Sequence, residues 1–270
     1  MSVLGEPTFA WEPLTPRGVA AFARASFERL FVVHALFALL AAAVLGWILS
    51  QEIYPTIATA IDQLPATGDI RAGRLNWNGD SPVLLAEGNV LALSVDLEHG
   101  GSIRSPADFQ FEFGRNSVRV FSLFGETELA YPPDYWFAAN HTDAHPAWGA
   151  WSPVVLVSVI IGTFISLLLT WMVLATLYCV PVWVICFFSN RDLGLGASWR
   201  LAGAALMPGA MLISVALLLY VMRAFDLIQL LYAFGMHFII GWIYLFVSPM
   251  FLNRVLPGEK KNPFQAAQTA

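Results

Sequence analysis

The sequence predicts an α-helical polytopic membrane protein of four spans, with a small, mostly antiparallel β-domain inserted between spans 1 and 2. Three observations predict it. Pro153 to Ser189 runs 37 residues without an Asp, Glu, Lys, Arg or His, whereas about 20 apolar residues suffice to cross a bilayer. Residues 51–151 hold 13 acidic and 5 basic side chains, and their apolar pattern turns from helical to alternating. The remaining positive charges cluster in the short pieces on one side of the spans. The whole chain is 57% hydrophobic and 12% charged, against about 25% charged in ordinary globular domains. A net charge of −5 argues against a nucleic-acid partner. Both cysteines, Cys179 and Cys186, lie in the apolar block. They read as small apolar fillers, which excludes a disulfide framework and a Cys-type metal site.

Residues 1–29 form the N-terminal piece. Pro7, Pro13 and Pro16 make its start irregular, and Thr15-Pro16 has the chemistry of an N-cap followed by proline at the first helical position. Beyond it Val19, Phe22, Ala23, Phe27 and Leu30 share one face, with Arg17, Arg24 and Glu28 on the other. This predicts an amphipathic helix that lies at the membrane surface or extends the first span. Residues 30–50 are span 1, with His34 its one ionisable residue. Its apolar core exceeds the roughly 7–15 residues of a signal h-region, so despite a cleavage-like Ala58-Thr59-Ala60 it reads as an uncleaved signal anchor. Ala38, Ala42 and Gly46 give it a small-residue face.

Residues 51–151 are the β-rich insertion. A helical stub, Ile53 to Leu64, leads into strands Leu75–Asn78, Val83–Ala86 and Val90–Leu97, separated by Asn78-Gly79-Asp80 and Glu87-Gly88-Asn89. Phe109, Phe111 and Phe113 alternate with Gln110 and Glu112. After the turn Gly114-Arg115-Asn116, Val118 and Val120 alternate with Arg119 and Phe121, a hairpin pattern. The acidic residues on these strands read as the solvated face of the sheet. Tyr131 to Trp151 is rich in aromatics and proline and reads as a loop settled at the interface.

Residues 152–189 are span 2 with an extension. A span of about Pro153–Leu174 is expected, then an apolar piece broken at Pro181; residues 175–189 are re-entrant, interfacial or part of the span. Residues 190–200 form a polar loop in which Ser198 can cap the next helix. Residues 201–222 are span 3, with Ala202, Ala205, Gly209 and Ala216 on a small-residue face and a kink expected at Pro208-Gly209. Residues 223–226 are a tight turn, 227–252 span 4 with His237 and Gln229, and 253–270 a polar tail. With the N-terminus inside, the short cytoplasmic pieces hold Arg17, Arg24, Arg29, Arg191, Arg200, Arg254, Lys260 and Lys261, and the short outer turn holds Arg223 alone. The positive-inside rule therefore predicts both termini in the cytoplasm and residues 51–151 outside; in a bacterium the membrane is then the cytoplasmic (inner) one and the outside is the periplasm or cell exterior.

Chemistry inside a membrane is marked by ionisable residues, because burying them is costly. The spans offer His34 and His237; His237 is the candidate cofactor ligand, weighed against a neutral histidine bonded to a neighbouring helix. No intramembrane carboxylate or lysine and no inverted repeat of spans suggests a proton-coupled carrier. Outside, His141-Thr142-Asp143-Ala144-His145 has metal-ligand spacing, so His141, Asp143 and His145 are the candidate metal set, with His99 or Asp134 as other third ligands. The missing Glu of H-E-x-x-H and the following Pro146 favour a solvated loop. No G-x-S-x-G elbow or phosphate-cradling loop is present. The expectation is no metal, no cofactor and no catalytic residue.

The segment Ile53–Trp77, the hairpin around Phe109–Phe124, and Ser198-Trp199-Arg200-Leu201-Ala202 leading to Pro208 resemble a bacterial membrane protein family labelled maltodextrin-utilisation, YvdJ-like, a domain of unknown function. The aromatic–Arg pair opening span 3 is also similar to that of the wider Yip-like membrane families. The chain departs from the first family in its aromatic 131–151 segment and its low lysine content. The resemblance implies a surface helix, one span, an outer β-domain and a cluster of C-terminal spans, and no catalytic residues. Pro181, Trp199, Arg200, Pro208 and Gly209 are taken as structural or interface positions. The reading that follows is a non-enzymatic membrane protein that contacts the bilayer, a protein partner through its β-domain and a further copy of itself, in sensing or scaffolding. Its alternatives are a transport component lining a path at Pro181 and Pro208, and a metal-dependent membrane enzyme.

Overall fold

In a computed structural model describing residues 11–191 and 193–254, the chain folds as two compact units, Met1–Ala42 with Gly162–Ala270 and Ala43–Ile161. Among the described residues four helices are long and apolar enough to cross a membrane: Phe27–Asp62, His141–Phe188, Leu195–Val221 and Leu227–Phe251. Large apolar side chains such as Val157, Ile161, Ile165, Leu169, Val173 and Leu177 stand exposed along the second of these. Water does not tolerate so continuous an apolar face, and a bilayer requires it.

The helical unit is knitted at its N-terminus. The Thr15 hydroxyl accepts from Gly18 N at 3.0 Å and caps α1 (Pro16–Ala21), as the Thr-Pro pair predicts. Val19, Phe22 and Ala23 are buried against Leu30, Leu201 and Met207. Four of the five residues of the apolar stripe therefore pack into the protein, while Phe27 stays exposed. Ala25 is extended and separates α1 from α2 (Phe27–Ile48). Ala38, Ala42 and Gly46 are all buried, and a Cβ at Gly46 would lie 2.7 Å from Ile160 Cδ1. One π-helical turn, Leu49–Ile53, carries α2 into α3 (Tyr54–Asp62) without a break.

The β unit holds two sheets. β1 (Gly68–Arg71), β2 (Arg74–Trp77) and β8 (Trp136–Ala138) form an antiparallel sheet in the order β2-β1-β8. β3 (Val83–Glu87), β4 (Leu91–Val95), β5 (Phe109–Phe113), β6 (Ser117–Ser122) and β7 (Gly125–Ala130) form the second in sequence order. Every pairing is antiparallel except β4–β5, which needs a crossover through residues 96–108. Gly114 N donates to Ser117 O at 2.9 Å and closes the β5–β6 hairpin. Three strands escape the sequence reading. β7 is exposed at all six residues, so it has no buried face to produce alternation. β1 and β8 are only four and three residues long.

Residues 131–151 are not a plain interfacial loop. They contain β8 and the first turns of α4 (His141–Phe188), which Asn140 starts by accepting from Asp143 N at 2.9 Å. α4 also runs unbroken through Pro181, correcting the predicted break. A proline removes one amide donor, whereas unwinding would leave several backbone groups unpaired where no water can reach them. Its 48 residues extend about 70 Å, more than twice a hydrocarbon core of about 30 Å.

α5 (Leu195–Ala205) and α6 (Met207–Val221) are separated by Leu206 alone, which keeps right-handed helical dihedrals two residues before Pro208. The helix opens at Gly194, and Ser198 is no cap: its buried hydroxyl donates back to Gly194 O at 3.1 Å. α7 (Leu227–Val247) begins with a capping box between Asp226 and Gln229. Gln229 thus closes a helix end rather than standing free among the spans.

Candidate functional site

The β unit forms a half-open cavity of about 650 Å³, within the 300–1,000 Å³ typical of small-molecule sites. Its walls follow from three local patterns. On α3, Ile57, Ala60 and Ile61, with Leu64 just beyond, repeat at i, i+3, i+4 and i+7 and line one side. On α4, Ala144, Ala147, Trp148 and Trp151 repeat at the same spacing and line another. The two sheets close the rest with Ile70, Leu75, Leu85, Leu93, Val95 and Phe113, and Trp136 and Phe137 of β8 complete it.

Four tryptophans and two phenylalanines belong to this lining, and two of the indoles turn their N–H to local partners. Trp77 Nε1 donates to Asp80 O at 2.9 Å, and Trp136 Nε1 to Asp69 Oδ2 at 3.3 Å. Trp148 stacks edge-on to Tyr54 with ring centroids 4.9 Å apart, while the Tyr54 hydroxyl donates to Ser152 O at 2.9 Å. These contacts hold α3 beside the start of α4 and keep the walls in place. Among the described residues Asp143 is the one charged residue of the lining, and it is exposed. Its Oδ2 accepts from Asn140 Nδ2 at 3.2 Å.

A second constellation lies on the polar face of β5, where the structure reverses the expected solvation. Glu112 is 0% and Gln110 2% exposed. Glu112 accepts from His99 Nδ1 at 2.8 Å and from Arg104 Nη1 at 3.3 Å. Gln110 donates to Ser94 Oγ and Ile103 O and accepts from Ser105 N. Every one of these partners except Ser94 belongs to the 96–108 crossover, so the buried polar face of β5 is what folds that crossover onto the sheet. Two polar side chains are thereby paid for with hydrogen bonds inside the protein.

His99 Nε2 also lies 3.2 Å from Ser117 Oγ. Glu112, His99 and Ser117 therefore have the spacing of a nucleophile triad. Ser117, however, is buried and donates its single hydroxyl hydrogen to Glu128 at 2.6 Å. With that hydrogen committed to Glu128, Ser117 has none to pass to His99, so the serine is not set up as a nucleophile activated by the histidine. Hydrogen bonds from Ser117 and then Arg119 hold the Glu128 carboxyl below the usual range, so it stays a competent acceptor. Burial pushes the Tyr131 phenol upward, and its hydroxyl donates to Gly114 O at 3.0 Å. The arrangement is a structural network, not a catalytic one.

The other predicted site residues take separate places. His141 Nδ1 contacts Pro65 O at 3.3 Å, Asp143 faces the cavity and His145 is exposed. Among the described residues no three His, Cys, Asp or Glu side chains meet in metal-holding geometry. His237 Nδ1 contacts the carbonyl of Phe234 in its own helix, so the expected bond to a neighbouring helix falls instead to His34, whose Nε2 meets Gly203 O at 3.1 Å. Trp199 Nε1 donates to Thr176 Oγ1 at 3.0 Å, and Arg200 donates to Ala23 O at 2.7 Å with its guanidinium over Phe27. The aromatic–Arg pair thus ties α5 to α4 and to the end of the N-terminal helix. A Cβ on Gly209 would lie 2.5 Å from His237 O, so α6 and α7 approach closely at Gly209.

Comparisons with protein-family models, with curated proteins and with solved structures find no match for this chain.

Proposed function

We propose that this membrane protein binds a small apolar ligand in its β unit, and that it does so in sensing or presenting that ligand at a membrane surface. The cavity carries this reading. It is large enough for one chain-like or fused-ring molecule and is walled almost wholly by aliphatic and aromatic groups. Trp148 and Trp151 of the lining immediately precede the uncharged stretch that starts at Pro153. Tryptophan at that point favours the headgroup level of a bilayer, so an apolar ligand has a short path from the membrane. The distribution of Lys and Arg supports residues 51–151 outside and both termini inside; a bacterial cytoplasmic membrane is the setting of this proposal.

The test is photolabelling in nanodiscs with a diazirine-bearing long-chain alcohol, mapped by peptide sequencing. Labelled peptides covering 57–64 and 144–151 are expected, and Ala147→Trp, which fills the lining from an exposed position, should remove that labelling while leaving labelling of α7 unchanged. Labelling confined to the bilayer windows of the long helices in both proteins would refute the reading.

A partner-binding role draws on a separate observation. β7 is paired on one side only and exposed throughout, and its hairpin tip presents Leu123 and Phe124, the latter 79% exposed. Such an edge can accept a further strand. A pull-down of the full protein with and without a β7 proline substitution at Thr127 tests this, and unchanged capture would exclude the edge.

A further inference from the structure

We infer that the cavity selects amphiphiles whose polar end is cationic or uncharged and rejects anionic ones such as fatty-acid carboxylates; this rests on the ligand-binding reading above. The argument is one of charge placement. An apolar wall accepts any chain and cannot distinguish polar ends, so selection must come from the few polar groups that meet the ligand. Here the lining supplies one charged residue, the exposed Asp143. Exposure places it where the cavity opens to water, which is where the polar end of an amphiphile must stay. Among the described residues Asp143 Oδ2 has one neighbouring side-chain donor, the neutral Asn140 Nδ2, and no ion pair offsets the carboxylate. Trp136 adds a second acid at one remove, since its indole is bonded to Asp69. Arg71 is opposite Trp136 across β1 and β8 but is not part of the lining. The surrounding segment is itself acidic, with 13 carboxylates against 5 arginines over residues 51–151, so long-range potential acts in the same direction.

The experiment is competition against the photolabel in nanodiscs by dodecylamine, dodecanol and laurate, with the wild-type chain and Asp143→Asn. Partition of each competitor into the bilayer is common to both proteins, so the change between proteins isolates the site. Asparagine keeps an acceptor for Asn140, and undiminished competition by dodecanol shows that the variant retains its fold. The amine should outcompete laurate by about tenfold more in the wild type than in the variant, the order expected of one charge a few ångströms away at a wet opening. An equal amine-to-laurate ratio in the two proteins, with dodecanol still competing, would overturn the selectivity and leave the cavity reading intact. Failure of all three to compete in either protein would overturn both.

Discussion

Replacing Glu112 by alanine tests the energetic centre of the β unit. The carboxylate is 0% exposed and accepts from His99 and Arg104. Removing one partner of a buried, hydrogen-bonded charge pair costs about 3–5 kcal/mol. Arg104 is 53% exposed and can be rehydrated, so the loss falls mainly on His99, which is 11% exposed, and the lower figure of about 3 kcal/mol applies. That energy secures the 96–108 crossover more than the whole domain, because both partners belong to it. Where reclosing outpaces cleavage, proteolysis follows the open population, and about 3 kcal/mol raises that population roughly 100-fold. Trypsin cleavage after Arg104 in the intact, bilayer-embedded protein reads this directly. A rise of about two orders of magnitude is expected for Glu112→Ala, with little change for Glu98→Ala, whose pair with Arg115 is on the surface. A change below about threefold, or an equal rise for both variants, would refute the assignment of Glu112 as the anchor.

Three further outcomes follow from the same geometry. The Glu128 carboxyl has a lowered folded-state pKa through Ser117 and Arg119, so its contribution is full above the unfolded value of about 4.3 and fades as pH falls through the folded value; thermal melts of wild type and Glu128→Gln should differ at neutral pH and converge in acid, and a constant gap would contradict this. Gly209→Ala gains about 1 kcal/mol of helix propensity but must displace the His237 carbonyl, at about 1–3 kcal/mol; Gly235→Ala meets nothing within 4 Å, so melting should fall for the first and hold or rise for the second. Pro181→Ala restores one amide to an already continuous helix, and should leave helical circular dichroism unchanged and stability within about 1 kcal/mol; a large loss of helix would mean that the proline shapes the span.

The spans were legible because a run without charge has one physical meaning at that length, and the Thr15-Pro16 start because capping is local chemistry. Periodicity in Phe109–Phe113 identified the strand and its two faces but could not say which face is buried. That choice is made by His99 and Arg104, which arrive from the crossover and convert a polar face into an interior one. β7 was illegible because an edge strand exposed on both sides need not alternate. The helical stripe 57/60/61/64 falls in a segment read as helix; 144/147/148/151 has the same spacing, but Pro146 and the aromatics around it suggested a loop. The pairing of β1 with β8 and the contacts of Tyr54 with Trp148 and Ser152 bring the two stripes to one cavity. Chain continuity through Pro181 shows the converse: a strong local signal yields when breaking the helix would leave backbone groups unpaired.

The most direct measurement of the central claim is native mass spectrometry of the protein released from nanodiscs, for wild type and Ala147→Trp under identical activation. The account predicts one retained apolar molecule per wild-type chain, held after the surrounding lipids have been stripped and lost in the variant. The same retained mass in both proteins, or none in either with the long-chain alcohol supplied in excess, would contradict it.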